Sequence, residues 1–163
     1  LERLDIQLEN VSTTPKVLLI DGQGIGEGFP ESGEKLSPVT ALYRARDFGQ
    51  ALDITAEILA YVGAGHSVGL HSEKIERAEF IAQNLPTSRV IVNQPHAFAT
   101  GGAFNNGLPF SLSMGCGSWG GNSIDDNLHY IHYMNISKVV IPIDGEEPPL
   151  ESVLGDYWQE VGR

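Results

Sequence analysis

Between residues 16 and 93 short apolar runs alternate with stretches of helical period, and this alternation constrains the chain more than any other feature. Lys16-Val17-Leu18-Leu19-Ile20-Asp21 ends in a glycine cluster and reads as a buried strand. Val39-Thr40-Ala41-Leu42-Tyr43-Arg44, entered through Pro38, reads as a second. Asp47 then suits a helix N-cap, and Phe48, Ala51, Leu52, Thr55, Ile58 and Leu59 recur at helical spacing until Gly63-Ala64-Gly65 stops them. Ser67-Val68-Gly69-Leu70-His71 predicts a third strand. Ser72 reads as the next N-cap, before a helix carrying Ile75, Ala78, Phe80, Ile81 and Leu85, and Arg89-Val90-Ile91-Val92-Asn93 closes the series as a strand. Such alternation implies βαβ crossovers, so the expected class is α/β, a mostly parallel sheet with flanking helices.

After Asn93 the pattern gives way to a glycine-rich stretch running to about Ser123, a length of loop that is usually either functional or poorly ordered. Asp125 to Asn135 predicts a helix, with Asp125 and Asp126 meeting its positive end. Ser137 to Ile143 predicts a last strand, and an acidic, proline-containing stretch from Asp144 leads to a short helix near Tyr157 and Trp158. The expected organisation is a main body over 1–136, a strand at 137–143 and an acidic tail over 144–163. Leu1-Glu2-Arg3-Leu4-Asp5 has a helical pattern and no initiating Met, which suggests a chain cut from something longer.

Composition excludes several classes. The 163 residues fit one domain, and 41% apolar content is enough for a core. No run approaches the roughly 18 apolar residues of a membrane span. A net charge of -11, with ten scattered Lys and Arg, repels a phosphate backbone and argues against nucleic acid as a partner. One cysteine, Cys116, rules out an internal disulfide and is compatible with a reducing cytoplasm, the expected location.

Single residues give weaker signals. Gly22-Gln23-Gly24-Ile25-Gly26-Glu27-Gly28 follows a strand but lacks the third glycine of G-x-G-x-x-G. Phe29-Pro30-Glu31-Ser32-Gly33 cannot open the helix that would hold a pyrophosphate, so an ordinary loop is expected. Cys116, in Met114-Gly115-Cys116-Gly117-Ser118-Trp119, is a nucleophile candidate, but a lone cysteine is more often a small packed side chain. His129 and His132 stand three apart with no carboxylate or third His evidently placed to complete a metal site, so none is expected.

Ser113-Met114-Gly115-Cys116-Gly117-Ser118-Trp119-Gly120-Gly121-Asn122-Ser123 resembles a signature of CoA-acylating aldehyde dehydrogenases. Gly33-Glu34-Lys35-Leu36-Ser37-Pro38-Val39 is similar to the Glu-x-x-x-Pro-Val segment of the wider aldehyde dehydrogenase superfamily, and Gly65-His66-Ser67 to the Gly-His-Thr of the acylating branch. The resemblance runs from about Lys16 to Ile143 and implies the C-terminal part of the catalytic domain of such an enzyme, with the fold incomplete.

In that family a cysteine attacks the aldehyde, hydride passes to NAD or NADP, and CoA releases the acyl group. The resemblance implies a short aldehyde such as acetaldehyde, sulfoacetaldehyde or succinate semialdehyde as substrate and CoA as co-substrate. It implies that Glu34 accepts hydrogen bonds from the nicotinamide ribose and that His66 moves a proton near the reacting centre. The nucleophile and the nucleotide-binding domain would belong to an N-terminal remainder, because Cys116 falls in a different motif, and this chain alone would be inactive. The 137–143 strand would serve homo-oligomer formation. His96 and Phe98, near Gly101-Gly102, depart from the usual acylating pattern. The rival expectation is a non-catalytic binding or assembly module on the same fold; a third is a Cys116-dependent acyltransferase.

Overall fold

The computed structural model describes residues 16–162; the helical opening expected at Leu1–Asp5 lies outside them. Leu18–Asp21 forms β1 and Val39–Leu42 forms β2, paired in parallel with Leu18 opposite Val39 and Asp21 opposite Leu42. Between them Gly22–Gly28 is a loop. The Glu31 carboxylate accepts from Gln23 N at 3.0 Å, and the Ser32 hydroxyl from Gly26 N at 3.0 Å. Only a 3-10 turn, Pro30–Ser32, follows it, as the missing third glycine led one to expect.

Helix α1, Phe48–Val62, begins where its chemistry requires: the Asp47 carboxylate accepts from Gln50 N at 2.9 Å. It ends at Gly63, whose φ of 112° few side chains tolerate. Val68–Leu70 (β3), Glu76–Asn84 (α2) and Val90–Val92 (β4) then make a βαβ unit, with Val68 opposite Val90 and Leu70 opposite Val92 in parallel. Its core consists of Ala78, Ile81, Leu85 and Ile91, all buried, joined by Ala99 of α3 (His96–Ala99). Phe48 of α1 meets Phe80 of α2 edge-to-face with centroids 6.2 Å apart.

Four expectations need correction. The four strands form two separate two-stranded parallel sheets among the described residues, β1–β2 and β3–β4, where one sheet was expected. Ser72 caps a turn rather than the helix: its hydroxyl accepts from Lys74 N, and α2 starts at Glu76. The helix expected over Asp125 to Asn135 is a bridge, Met114 to Asn127, followed by a 3-10 turn at Tyr130–Tyr133. Asp126 O accepts from Gly115 N there, which withdraws that carbonyl from any helical ladder. Residues 137–143 form no strand; Val139, Val140, Ile141 and Ile143 are all exposed. A β-branched run needs a partner ladder, and none of the described residues supplies one.

Met134 onward forms a second unit whose ordered element is α4, Leu150–Val161, closed by Gly162 at φ 71°. Among the described residues no helix is long and apolar enough to cross a membrane.

Candidate functional site

Three glycine-dependent loops meet at one cleft. The first follows the Pro30–Ser32 turn, where Lys35 Nζ donates to Glu31 O at 2.6 Å and to Gly33 O at 2.7 Å. Next comes Leu36, 91% exposed and held at φ 42°, a left-handed conformation unusual for a side chain of its kind. Between these restraints Glu34 is exposed, and its carboxylate makes no hydrogen bond among the described residues.

The second loop carries His66. Gly65, at φ 99°, bridges in parallel to Thr87, donates to Pro86 O at 2.8 Å and accepts from Ser88 N at 2.9 Å. A Cβ on Gly65 would collide with the carbonyl oxygen of Cys116, so this close approach is open only to glycine. The third loop is the Gly115–Asn122 segment. Gly115 N bonds Asp126 O and Gly117 N bonds Ile124 O, each at 2.9 Å, and Cys116 N donates to the Asn122 side chain at 2.8 Å.

The resulting cleft, about 820 Å³, is lined by Glu34, Lys35, Leu59, His66, Cys116 and Trp119 among others. Glu34 and His66, 32 positions apart in the chain, thus line one cleft, and Cys116 joins them, which its sequence context could not establish. Gly120 packs directly on Cys116: a Cβ there would overlap the Cys116 Cβ.

His66 belongs to a chain of three polar groups. Its Nδ1 lies 2.6 Å from the Ser67 hydroxyl, which lies 2.8 Å from His96 Nε2. The single hydroxyl proton can serve only one imidazole, so Ser67 couples the tautomers of the two rings. The protein around the His66 ring pushes its pKa below the ordinary 6.5, Arg89 adds to the shift, and Glu34 acts in the opposite sense. His96 is lowered for the same first reason, then by His66 and His71. Both rings are therefore neutral near pH 7. His96 sits over β3 where Gly69 has no side chain; a Cβ would come within 2.8 Å of its Nδ1.

Sequence reading treated Arg89 as the start of a strand. The structure makes it the post that holds the site up. It is 5% exposed, its Nη1 donates to His66 O (3.0 Å) and Gly115 O (2.9 Å), and its Nε donates to Asn127 Oδ1 (2.8 Å). Asn127, fully buried, passes the network on to Thr100 O and Pro109 O, each at 2.9 Å. A single Arg after a predicted loop gives no signal of this. The paired glycines, each required by a contact with another segment, are the nearest signal the sequence offers.

The reading of His129 and His132 also changes. A carboxylate does stand beside them: Asp126 Oδ2 lies 3.7 Å from His129 Nε2.

A helix-flanked parallel pair of strands and a glycine-walled cleft lined by Glu34 and His66 define an α/β protein. The solved structure of an acetylating aldehyde dehydrogenase from Geobacillus thermoglucosidasius is similar, with a TM-score of 0.72 and 32% identity over 82% of this chain and 29% of its own. Among curated proteins, the acylating sulfoacetaldehyde dehydrogenase of Cupriavidus necator is 54% identical over 149 residues, 91% of this chain. The acetylating succinate-semialdehyde dehydrogenase of Clostridium kluyveri is 42% identical over 124 residues, 76% of this chain and 27% of its own length. No family model matches the chain. The chain belongs to the CoA-acylating aldehyde dehydrogenase family, and it spans only about 30% of the length of these two curated relatives.

Proposed function

We propose that this chain forms the Glu34–His66 wall of the active cleft in a larger CoA-acylating aldehyde dehydrogenase, which oxidises a short aldehyde to acyl-CoA. The observation that carries the proposal is the convergence of Glu34, His66 and the Gly115–Asn122 loop on one cleft. NAD or NADP, when bound, supplies the hydride acceptor of the oxidation. The residues fit that role, since Glu34 offers an exposed carboxylate with free acceptor oxygens suited to ribose hydroxyls. His66, neutral at pH 7, would take a proton from an incoming thiol and return one to a departing thiolate during thioester exchange.

The thiolate that attacks the aldehyde would come from the N-terminal remainder. Cys116 is packed between Gly65 and Gly120, which favours a structural role for it. The relatives' names direct the choice of aldehyde, with sulfoacetaldehyde first and succinate semialdehyde next. A cytoplasmic location and a homo-oligomer complete the proposal.

The test is NAD(P) reduction with sulfoacetaldehyde, succinate semialdehyde or acetaldehyde plus CoA, run on the full-length protein and on this chain. Turnover by the full-length protein alone supports the proposal. No turnover by either with any of the three aldehydes favours the binding-module reading. Turnover by this chain, abolished by Cys116→Ser, overturns the assignment of the nucleophile elsewhere.

A further inference from the structure

We propose that Asp126, His129 and His132 form a binding site for a divalent transition-metal cation, with Zn2+ the natural candidate. One donor atom from each of the three residues falls within 4.8 Å of the others. Donors on a common Zn2+ sit about 2.0 to 2.2 Å from it, so a pair can be at most about 4.2 Å apart. Asp126 Oδ2 and His129 Nε2, at 3.7 Å, already meet that condition, and a donor of His132 lies within 4.8 Å of both residues' donors. None of the three lines the Glu34–His66 cleft.

Asp126 and His132 carry the supporting hydrogen bonds that orient metal ligands. Asp126 Oδ1 accepts from Asn127 N at 2.7 Å, which turns the carboxylate so that Oδ2 faces the histidines. The backbone on either side is fixed by the Gly115 N to Asp126 O bond and by the fully buried Asn127. His132 Nδ1 lies 3.2 Å from His129 O. With its proton on Nδ1 the ring donates to that carbonyl and leaves the Nε2 lone pair free, the arrangement in which imidazoles ligate metals. The alternative tautomer accepts from His129 N at 3.0 Å, so metal binding selects one of two hydrogen-bonded states already available to the ring. The two histidine rings meet edge-to-face with centroids 4.7 Å apart.

Two imidazoles and one carboxylate are borderline donors, which suits Zn2+, Co2+ or Ni2+ and disfavours Mg2+ and Ca2+. Three protein ligands leave a fourth position for water. A cation here would tie the loop pinned by Asn127 to the Tyr130–Tyr133 turn and would rigidify the end of the Arg89 network.

Titration of this chain with Co2+, followed by its visible absorption, reads the site directly, and Zn2+ should displace the cobalt. One equivalent is expected to bind, and Asp126→Asn and His129→Gln should each weaken binding about tenfold or more. In the unsubstituted chain, one equivalent of Zn2+ should shift the ring nitrogen resonances of His129 and His132 and leave those of His66 and His96 in place. That readout needs no variant to fold, and it is independent of aldehyde oxidation. Binding that both variants leave undiminished, resonance shifts at His66 or His96 instead, or no binding below millimolar Zn2+ would each overturn the proposal.

Discussion

Asn127 Oδ1 accepts a 2.8 Å hydrogen bond from Arg89 Nε across 38 positions of sequence, and both residues are buried. Asn127→Ala removes the acceptor for Arg89 and the donor for Thr100 O and Pro109 O, leaving a guanidinium nitrogen and two carbonyls without partners. The expected loss is about 1 to 3 kcal/mol in chemical denaturation. A loss too small to resolve by that method would mean that water replaces the amide freely and that the network is not structural.

Stability should fall on acidification. The folded pKa values of His66 and His96 lie below the ordinary 6.5, so below that pH the unfolded chain binds more protons than the folded one. The stabilisation is complete above the unfolded value and is lost as pH drops through it toward the lowered folded values. Denaturation midpoints measured between pH 7.5 and 5, a range set by the ordinary histidine pKa, should decline less steeply in a His66→Gln, His96→Gln double variant. An equal slope would remove these two rings as the cause.

Kinetics of the full-length protein separate the two cleft residues. Glu34→Gln should weaken NAD(P) handling by roughly 1 to 3 kcal/mol, read as a raised KM, because a charged acceptor is lost. His66→Ala should lower kcat more than it raises that KM. Unchanged constants for Glu34→Gln would exclude it from the site, and the reverse pattern at His66 would make it a binding residue. Ser67→Ala, which cuts the link to His96, should shift the acidic limb of the kcat profile while His66 remains in place.

The exposed run Val139, Val140, Ile141 and Ile143 bears on association. Its backbone pairs with no strand among the described residues, which makes it a template for another chain. Pro142 limits such pairing without preventing it. Sedimentation of this chain should show dimers or larger species that Val140→Lys reduces. A monomer at tens of micromolar in both variants would show that the run does not drive association.

How much of this was legible depends on how local the cause is. Helix α1 could be read because its start and stop are written into it: the Asp47 carboxylate caps the first turn and Gly63 takes a φ that ends the last. The strands were visible as apolar runs, but their division between two sheets was not, because pairing is decided by contacts remote in sequence. The Asp125 to Asn135 expectation failed for the same reason: the segment is held by the burial of Asn127 against Arg89, 38 positions away. Residues 137–143 carry the composition of a strand without the partner that would make them one. Glu34 and His66 were singled out through resemblance alone, and that they line one cleft is visible only in the fold. Arg89 was missed because its partners come from other loops, whereas the Asp126 carboxylate meets His129 only three positions along the chain.

The separation of the two sheets has a consequence for motion. Glu34 hangs from the β1–β2 pair, while His66, His96 and the Arg89 post belong to β3–β4, and no ladder joins the two pairs among the described residues. Opening of the first pair can therefore occur as a sub-global fluctuation that leaves the second protected. Amide exchange should show two classes, with Leu18–Asp21 faster than Val90–Val92. The Glu34 side of the cleft would then breathe on its own and leave the two histidines linked through Ser67 undisturbed.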